Sequence, residues 1–98
     1  MMDLKVLRHN HIRKLILECL KPDHPNAIDS VMLRVELAHM GYAMDDASLK
    51  SYLAYLEERG YVRVEEKKGF DITLVAIRAA GLDVLDGRIE DLGVGVKL

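Results

Sequence analysis

The sequence has few of the residues that mark secreted, disordered or membrane-spanning chains. Of its 98 residues one is cysteine and two are proline, and 50% are hydrophobic against 31% charged. A single cysteine, Cys19, excludes an intramolecular disulfide, and so few prolines in so apolar a chain argue against disorder. The longest apolar runs, such as residues 74–77, are far shorter than the roughly 20 residues that span a bilayer. We therefore expect one folded domain, covering residues 1–98, with no membrane span.

An excess of charge of either sign is also missing. The 14 Lys and Arg residues face 16 Asp and Glu residues, which gives a net charge of −2. This balance provides no overall positive field to attract nucleic acid or acidic lipid, so any contact with a polyanion must be local. The first ten residues contain no apolar segment of the length that a signal peptide needs, and we expect a cytoplasmic protein.

Motifs for metal binding and catalysis are scarce as well. His9 and His11 lie two positions apart, so on a helix their side chains diverge by about 200°. Cys19 falls in the apolar stripe of the same predicted helix, where a small buried hydrophobe is expected. The sequence contains no glycine-rich phosphate loop, nucleophile elbow or paired-carboxylate motif. We therefore expect no metal site, no cofactor and no enzymatic activity.

What the sequence does contain is a series of well-marked helices. Apolar residues at three- and four-residue spacing predict a first helix over about residues 3–20. Asp29 and Asp45 each follow an apolar residue and each precede a leucine by four positions. This is the pattern of an N-cap with a hydrophobic staple, and it predicts two helices within residues 30–59, each closed by a glycine.

The hydrophobic period changes from 3.6 to 2 after Gly60. This change predicts a β-hairpin over about residues 61–77. A short C-terminal helix is expected over about 78–86, and two glycines within 88–98 predict an extended or mobile tail. The expected fold class is therefore mainly α with a small β-hairpin.

Two helices joined by a short glycine-containing turn and followed by a hairpin match a winged helix-turn-helix. The segment SLKSYLAYLEERGYVRVEEKKGFDITL, residues 48–74, resembles the recognition helix and wing of small winged-helix regulators of the ArsR, MarR and PadR kind. The match extends over roughly residues 28–85 and is specific to the fold rather than to a function. The chain with its ending RAAGLDVLDGRIEDLGV is also similar to small winged-helix proteins of Mu-like prophages, which implies a phage-derived origin.

The resemblance to winged-helix regulators implies that the third helix enters the major groove of duplex DNA. Its outward side chains would then reach base edges, while the wing would contact the backbone. Lysine, arginine, serine and tyrosine side chains suit these contacts because they donate hydrogen bonds to phosphate or base acceptors. The candidate DNA-binding residues are Lys50, Ser51, Tyr55, Arg63, Lys67 and Lys68.

The charge of the third helix opposes DNA binding. Residues 45–59 contain two basic and four acidic side chains, and a carboxylate in contact with a phosphate costs on the order of 1 kcal/mol even in water. Residues 1–21 contain five basic and two acidic side chains, which would compensate if the first helix lined the same face. Lys67 and Lys68, next to two glutamates, also fit an ordinary solvated hairpin tip.

Surplus apolar residues favour a homodimer. Leu17 and Leu20 lie outside the apolar stripe of the first helix, and Leu82 and Leu85 of the last helix could extend the same surface. The alternative is that so small a domain uses every apolar side chain for its own core. Two functions therefore remain open: a dimeric DNA-binding transcriptional regulator, or a winged-helix protein-interaction module, such as a phage accessory or assembly factor, that binds no DNA.

Overall fold

Caps and hydrophobic periodicity give the helices their bounds. The computed structural model describes residues 3–97, and in this range the α-helices are α1 (Leu4–Leu20), α2 (Ser30–His39), α3 (Asp46–Glu58) and α4 (Ala79–Leu85). The side chain of Asp29 accepts a hydrogen bond from the Val31 amide, and that of Asp45 accepts one from the Ser48 amide, at 2.8 Å each. The predicted helix ranges are confirmed to within one residue at each end. Residues 1, 2 and 98 of the predicted domain lie outside the described residues.

The two central helices end at glycines. Gly41 follows α2 with φ of 95°, and Gly60 follows α3 with φ of 78°. This left-handed conformation closes a helix with little strain only when the residue has no Cβ. The chain turns through residues 40–45 between α2 and α3, and it enters the sheet soon after Gly60.

Three strands form an antiparallel sheet, one more than the sequence predicts. Strands β2 (Val62–Lys67) and β3 (Ile72–Ile77) form the expected hairpin, and β1 (Ile28–Asp29) pairs with the other edge of β3, where Ile28 lies opposite Val75. The strand order is β1-β3-β2. The expected helices and hairpin are present, and the third strand makes the whole a small mixed α/β fold. A strand of two residues has no readable period, and it depends on pairing with distant β3.

The hydrophobic core lies where α1, α2 and α3 pack against the sheet. Its largest fully buried side chains are Ile16, Leu17, Leu20, Leu33, Leu37, Leu49, Leu56, Val62 and Val75. Burial of each such side chain contributes roughly 1.5–3 kcal/mol.

Leu17 and Leu20 are 0% and 1% exposed, so the expectation that they face a second copy of the chain is wrong. Helix α1 contacts α2, α4 and β3. Several partners bury a wider arc of a helix than the single packing face assumed from the sequence. The apolar surplus of α1 therefore belongs to the domain's own core.

The residues after α4 fold back onto the domain. The Gly95 amide donates to the Asn10 carbonyl at 2.8 Å, and the Asn10 side-chain amide donates to the Leu92 carbonyl at 3.1 Å. Val94 packs against the core. The expectation of an extended or mobile tail is therefore wrong for the described part of residues 88–98. Between residues 3 and 97, no helix has the length and apolar character needed to cross a lipid bilayer.

Candidate nucleic-acid interface

Helix α3 turns one long face to solvent. Its leucines Leu49, Leu53 and Leu56 are buried, which fixes the orientation of the opposite face. The exposed residues of α3 are Asp46, Ala47, Ser48, Lys50, Ser51, Ala54, Glu57 and Glu58. Two of the predicted DNA-binding residues, Lys50 and Ser51, therefore lie where the prediction requires them.

Three acidic residues at α3 have partners within the domain. Asp45 caps the helix, and hydrogen bonds from the first turn lower the pKa of its carboxyl group. Asp46 lies 3.1 Å from the ammonium group of Lys50, and this hydrogen bond raises the pKa of the lysine. Glu57 accepts a hydrogen bond of 3.0 Å from the backbone amide of Val64 in β2. Asp46 is thus paired with a cation, whereas Asp45 and Glu57 keep their negative charge while they cap α3 and bind β2.

A groove of about 630 Å³ separates α2 and α3 from the hairpin. Lys50, Lys67 and Lys68 line it together with acidic residues, and Lys67 also donates to Glu65 at 2.9 Å. Arg63 is exposed on β2 but does not line the groove. The structure thus brings three of the predicted basic residues to one groove and leaves Arg63 outside it.

Tyr55 does not belong to the outward face. The guanidinium carbons of Arg13 and Arg59 each lie 3.6 Å from the centre of its ring. One face of a six-membered ring has no room for two guanidinium groups at this distance, so they lie on opposite faces. Gly93 lies against the hydroxyl group, because a Cβ atom on it would be 1.9 Å from that oxygen. The expectation that Tyr55 is free to contact phosphate is therefore wrong in this arrangement.

Asp91 holds the C-terminal residues against this arginine pair. Its carboxylate accepts hydrogen bonds from the Tyr61 hydroxyl at 2.6 Å and from the Gly93 amide at 2.8 Å, and it lies 3.4 Å from Nε of Arg59. Burial alone would raise the pKa of Asp91, but the two hydrogen bonds and the charges of Arg59 and Arg13 outweigh it and lower that pKa. Burial, followed by the hydrogen bond to Asp91, raises the pKa of Tyr61 to about 12.

A second polar surface lies between α1 and α3. It is a cavity of about 240 Å³, which we call the α1–α3 seam, lined by His9, Arg13, Ser48, Ser51 and Tyr52. Nδ1 of His9 is 2.6 Å from the Tyr52 hydroxyl, and burial raises the pKa of Tyr52. Basic residues of α1 thus lie beside the exposed serines of α3, as DNA binding by both helices would require.

Four exposed apolar residues lie on α2 or directly after it. Val31, Met32, Val35 and Met40 are 43–59% exposed, whereas Leu82 and Leu85 of α4 are half-buried against the core. The apolar surface that α2 offers is therefore larger than the predicted one on α1 and α4. Cys19 is buried beside this surface, and its burial raises the pKa of the thiol to about 11.

Sequence reasoning missed Asn10, Arg13, Arg59, Tyr61 and Asp91. Their hydrogen bonds and stacking contacts mostly join residues 30 to 82 positions apart, and no local period reports such pairs.

Within residues 3–97, no group of three or more His, Cys, Asp or Glu side chains is placed to hold a metal ion. No protein-family model, curated protein or solved structure matches this chain, so its function is inferred from this geometry.

Proposed function

We propose that this protein binds duplex DNA as a winged helix, with α3 in the major groove and the β2–β3 hairpin on the adjacent backbone. The supporting observation is the outward face of α3, which the described chain leaves uncovered and which the hairpin flanks. Helix α3 is long enough to present several side chains to a groove. The element order helix, helix, hairpin is the order that a winged helix uses.

The side chains of this face suit close approach to DNA. Ala47 and Ala54 are small and exposed, so the helix backbone can approach the base edges, and the Ala methyl groups can contact thymine methyls. Ser51 can donate to a base or a phosphate. Lys50 is paired with Asp46 on the surface, where solvent screens the pair, so a phosphate or guanine can replace the carboxylate with little loss.

Binding to a random duplex, followed by fluorescence anisotropy from about 50 mM salt upward, tests the proposal. We expect measurable affinity at the lowest salt and a steep loss as salt is added. Replacement of Lys67 and Lys68 together by alanine is expected to reduce the slope of log K against log salt by up to about 2, since each phosphate contact contributes about 0.9.

The matched control replaces Lys21 and Arg88, two exposed basic residues outside the α3 face and the hairpin, by alanine. It removes the same charge and is expected to leave the slope close to that of the parent protein. Absence of binding at about 50 mM salt, or equal slopes for the two double variants, would contradict the proposed contact.

The α2 surface favours a second function, docking of a protein partner or a second copy of the chain. Three exposed apolar residues on one short helix, with a fourth directly after it, are more than a solvated helix needs, and apolar patches of this kind are typical of interfaces. Sedimentation velocity tests self-association. If the homodimer forms through α2, Met32→Glu is expected to give monomers, whereas Leu4→Glu, an exposed apolar position elsewhere, is expected to leave dimers intact. A parent protein that sediments as a monomer at all concentrations would rule out the homodimer.

A further inference from the structure

We propose that residues 91–95 form a reversible cover over Arg13, Arg59 and Tyr55, and that this cover competes with DNA phosphate for the two guanidinium groups. The inference rests on the proposed DNA binding and adds a built-in regulation to it. We call these residues the C-terminal cover.

The cover presents to the arginines the same kind of atoms as a phosphate group. Asp91 lies 3.4 Å from Nε of Arg59, and the Gly93 carbonyl accepts a hydrogen bond of 3.1 Å from Arg13. Oxygen acceptors, one of them charged, therefore occupy positions from which phosphate oxygens bind guanidinium groups. A nucleic-acid backbone and the cover cannot occupy these positions at the same time.

The covered groups adjoin the proposed DNA-binding face. Arg13 lines the α1–α3 seam together with Ser48 and Ser51. Tyr55 follows Ser51 by four residues, which on a helix places it one turn further along the same side. Removal of the cover would therefore extend the DNA-binding face along α3 and add two positive charges to it.

The docked cover leaves one polar group of the site unsatisfied. Nε of Arg13 is buried and has no hydrogen-bond partner among residues 3–97. A buried donor without an acceptor destabilises the state that contains it, and a phosphate oxygen could supply the acceptor.

The cover has no regular secondary structure of its own. It contains no helix or strand, and its Leu92 is 76% exposed. Hydrogen bonds of the Leu92 and Gly93 carbonyls, the Gly95 amide and the Asp91 carboxylate attach it to the domain. A surface segment outside the helices and the sheet opens at a lower free energy than the core does.

A single substitution can remove the cover from the domain. A Cβ atom at Gly93 would lie 1.9 Å from the Tyr55 hydroxyl oxygen and 3.0 Å from the ring carbon that bears it. The tyrosine ring cannot swing away, because Arg13 and Arg59 hold both of its faces. Gly93→Ala should therefore displace the cover. Asp91→Asn is a milder second variant, which removes the charge that faces Arg59.

The test measures duplex affinity at low salt and hydrogen exchange of the Gly95 amide in the 98-residue protein and its variants. If the cover is docked about ten times more often than it is open, its loss raises the apparent affinity about tenfold, because only the open fraction can bind. We expect this gain for Gly93→Ala, a smaller gain for Asp91→Asn, and faster Gly95 exchange in both. The control for Asp91→Asn is Asp86→Asn, which removes one negative charge at the exposed end of α4. Its affinity and its Gly95 exchange are expected to match those of the parent protein.

The outcomes separate this inference from the proposed function. Tighter binding by Gly93→Ala than by the parent protein and by Asp86→Asn supports both. Equal affinities for all proteins, with faster Gly95 exchange in Gly93→Ala, would overturn the cover and leave DNA binding intact. Absence of binding by the parent and by every variant would overturn the proposed function and the cover with it.

Discussion

Tyr61 shows how one side chain links the sheet to the C-terminal residues. Its hydroxyl is buried and donates to Asp91, and its pKa is raised from 10.0 to about 12. Below pH 10 the hydroxyl is protonated in both the folded and unfolded states. As the pH rises through 10, the unfolded chain loses this proton while the folded chain keeps it, so the free energy of unfolding decreases until about pH 12.

We expect this decrease to amount to on the order of 3 kcal/mol, since the pKa of Tyr61 rises from 10.0 to about 12 and each unit of pKa corresponds to about 1.4 kcal/mol. Urea unfolding at a series of pH values between 8 and 12, with the parent protein and Tyr61→Phe side by side, measures it. The phenylalanine variant should be less stable at pH 8 and should lose less stability as the pH rises. If the two proteins lose stability in parallel, the hydroxyl does not hold its proton in the fold.

At acid pH the free energy of unfolding depends on pH with the opposite sign. Asp91 has a lowered pKa in the folded protein, so its carboxylate stabilises the fold at neutral pH. This contribution is lost as the pH falls through the folded pKa and the carboxyl group becomes protonated. The attachment of the C-terminal cover to Arg59 should weaken over the same range.

Strand β2 has a free edge that α3 closes with one carboxylate. The order β1-β3-β2 leaves one side of β2 without a neighbouring strand, and Glu57 accepts the hydrogen bond of the Val64 amide there. Unpaired strand edges are sites of unwanted pairing with other chains. The same residue that adds negative charge to α3 therefore protects the sheet.

Replacement of Glu57 by alanine is expected to expose this edge. The Val64 amide loses its acceptor, so its hydrogen exchange, measured by NMR, should become faster, while amides of β2 that pair with β3 should change little. Glu58→Ala removes the same charge one position along α3 and should leave Val64 unchanged. Equal exchange at Val64 in the two variants would mean that Glu57 does not protect the edge.

Helices and hairpin were predictable because their signals are local. An aspartate cap such as Asp29, a closing glycine such as Gly60, and the repeat of leucines in α3 each lie within a few residues of the structure that they specify. Strand β1 has no such signal, since Ile28 extends only through its pairing with Val75. Of the candidate site, the sequence predicted the exposure of Lys50 and Ser51 on α3. It could not show that Tyr55 is enclosed, because that enclosure depends on residues 13 and 93.

One core joins all parts of the described chain, and Leu17 lies inside it. The sequence assigned this leucine to a dimer surface because it counted only one packing face of α1, whereas α2, α4 and β3 all contact that helix. Leu17→Ala is therefore expected to lower the free energy of unfolding by about 2–5 kcal/mol, the usual cost of a large-to-small change in a core.

Urea unfolding followed by far-UV circular dichroism measures this change. Because helices and sheet share the core, we expect a single transition in both proteins. Leu4→Ala, at an exposed position of the same helix, should change stability little. A loss of self-association by Leu17→Ala without a loss of monomer stability would restore the interface that the sequence predicted.

The chain contains four tyrosines and no tryptophan, and two of those tyrosines touch the C-terminal cover. Tyr61 donates its phenolic proton toward the Asp91 carboxylate, and Tyr55 is stacked between two cations. Hydrogen bonding to a carboxylate quenches tyrosine emission, so departure of the cover should brighten the ultraviolet fluorescence of the unlabelled protein. The tyrosine fluorescence of the protein therefore reports whether the C-terminal cover is docked. Stopped-flow mixing with DNA could follow the release of the cover in real time.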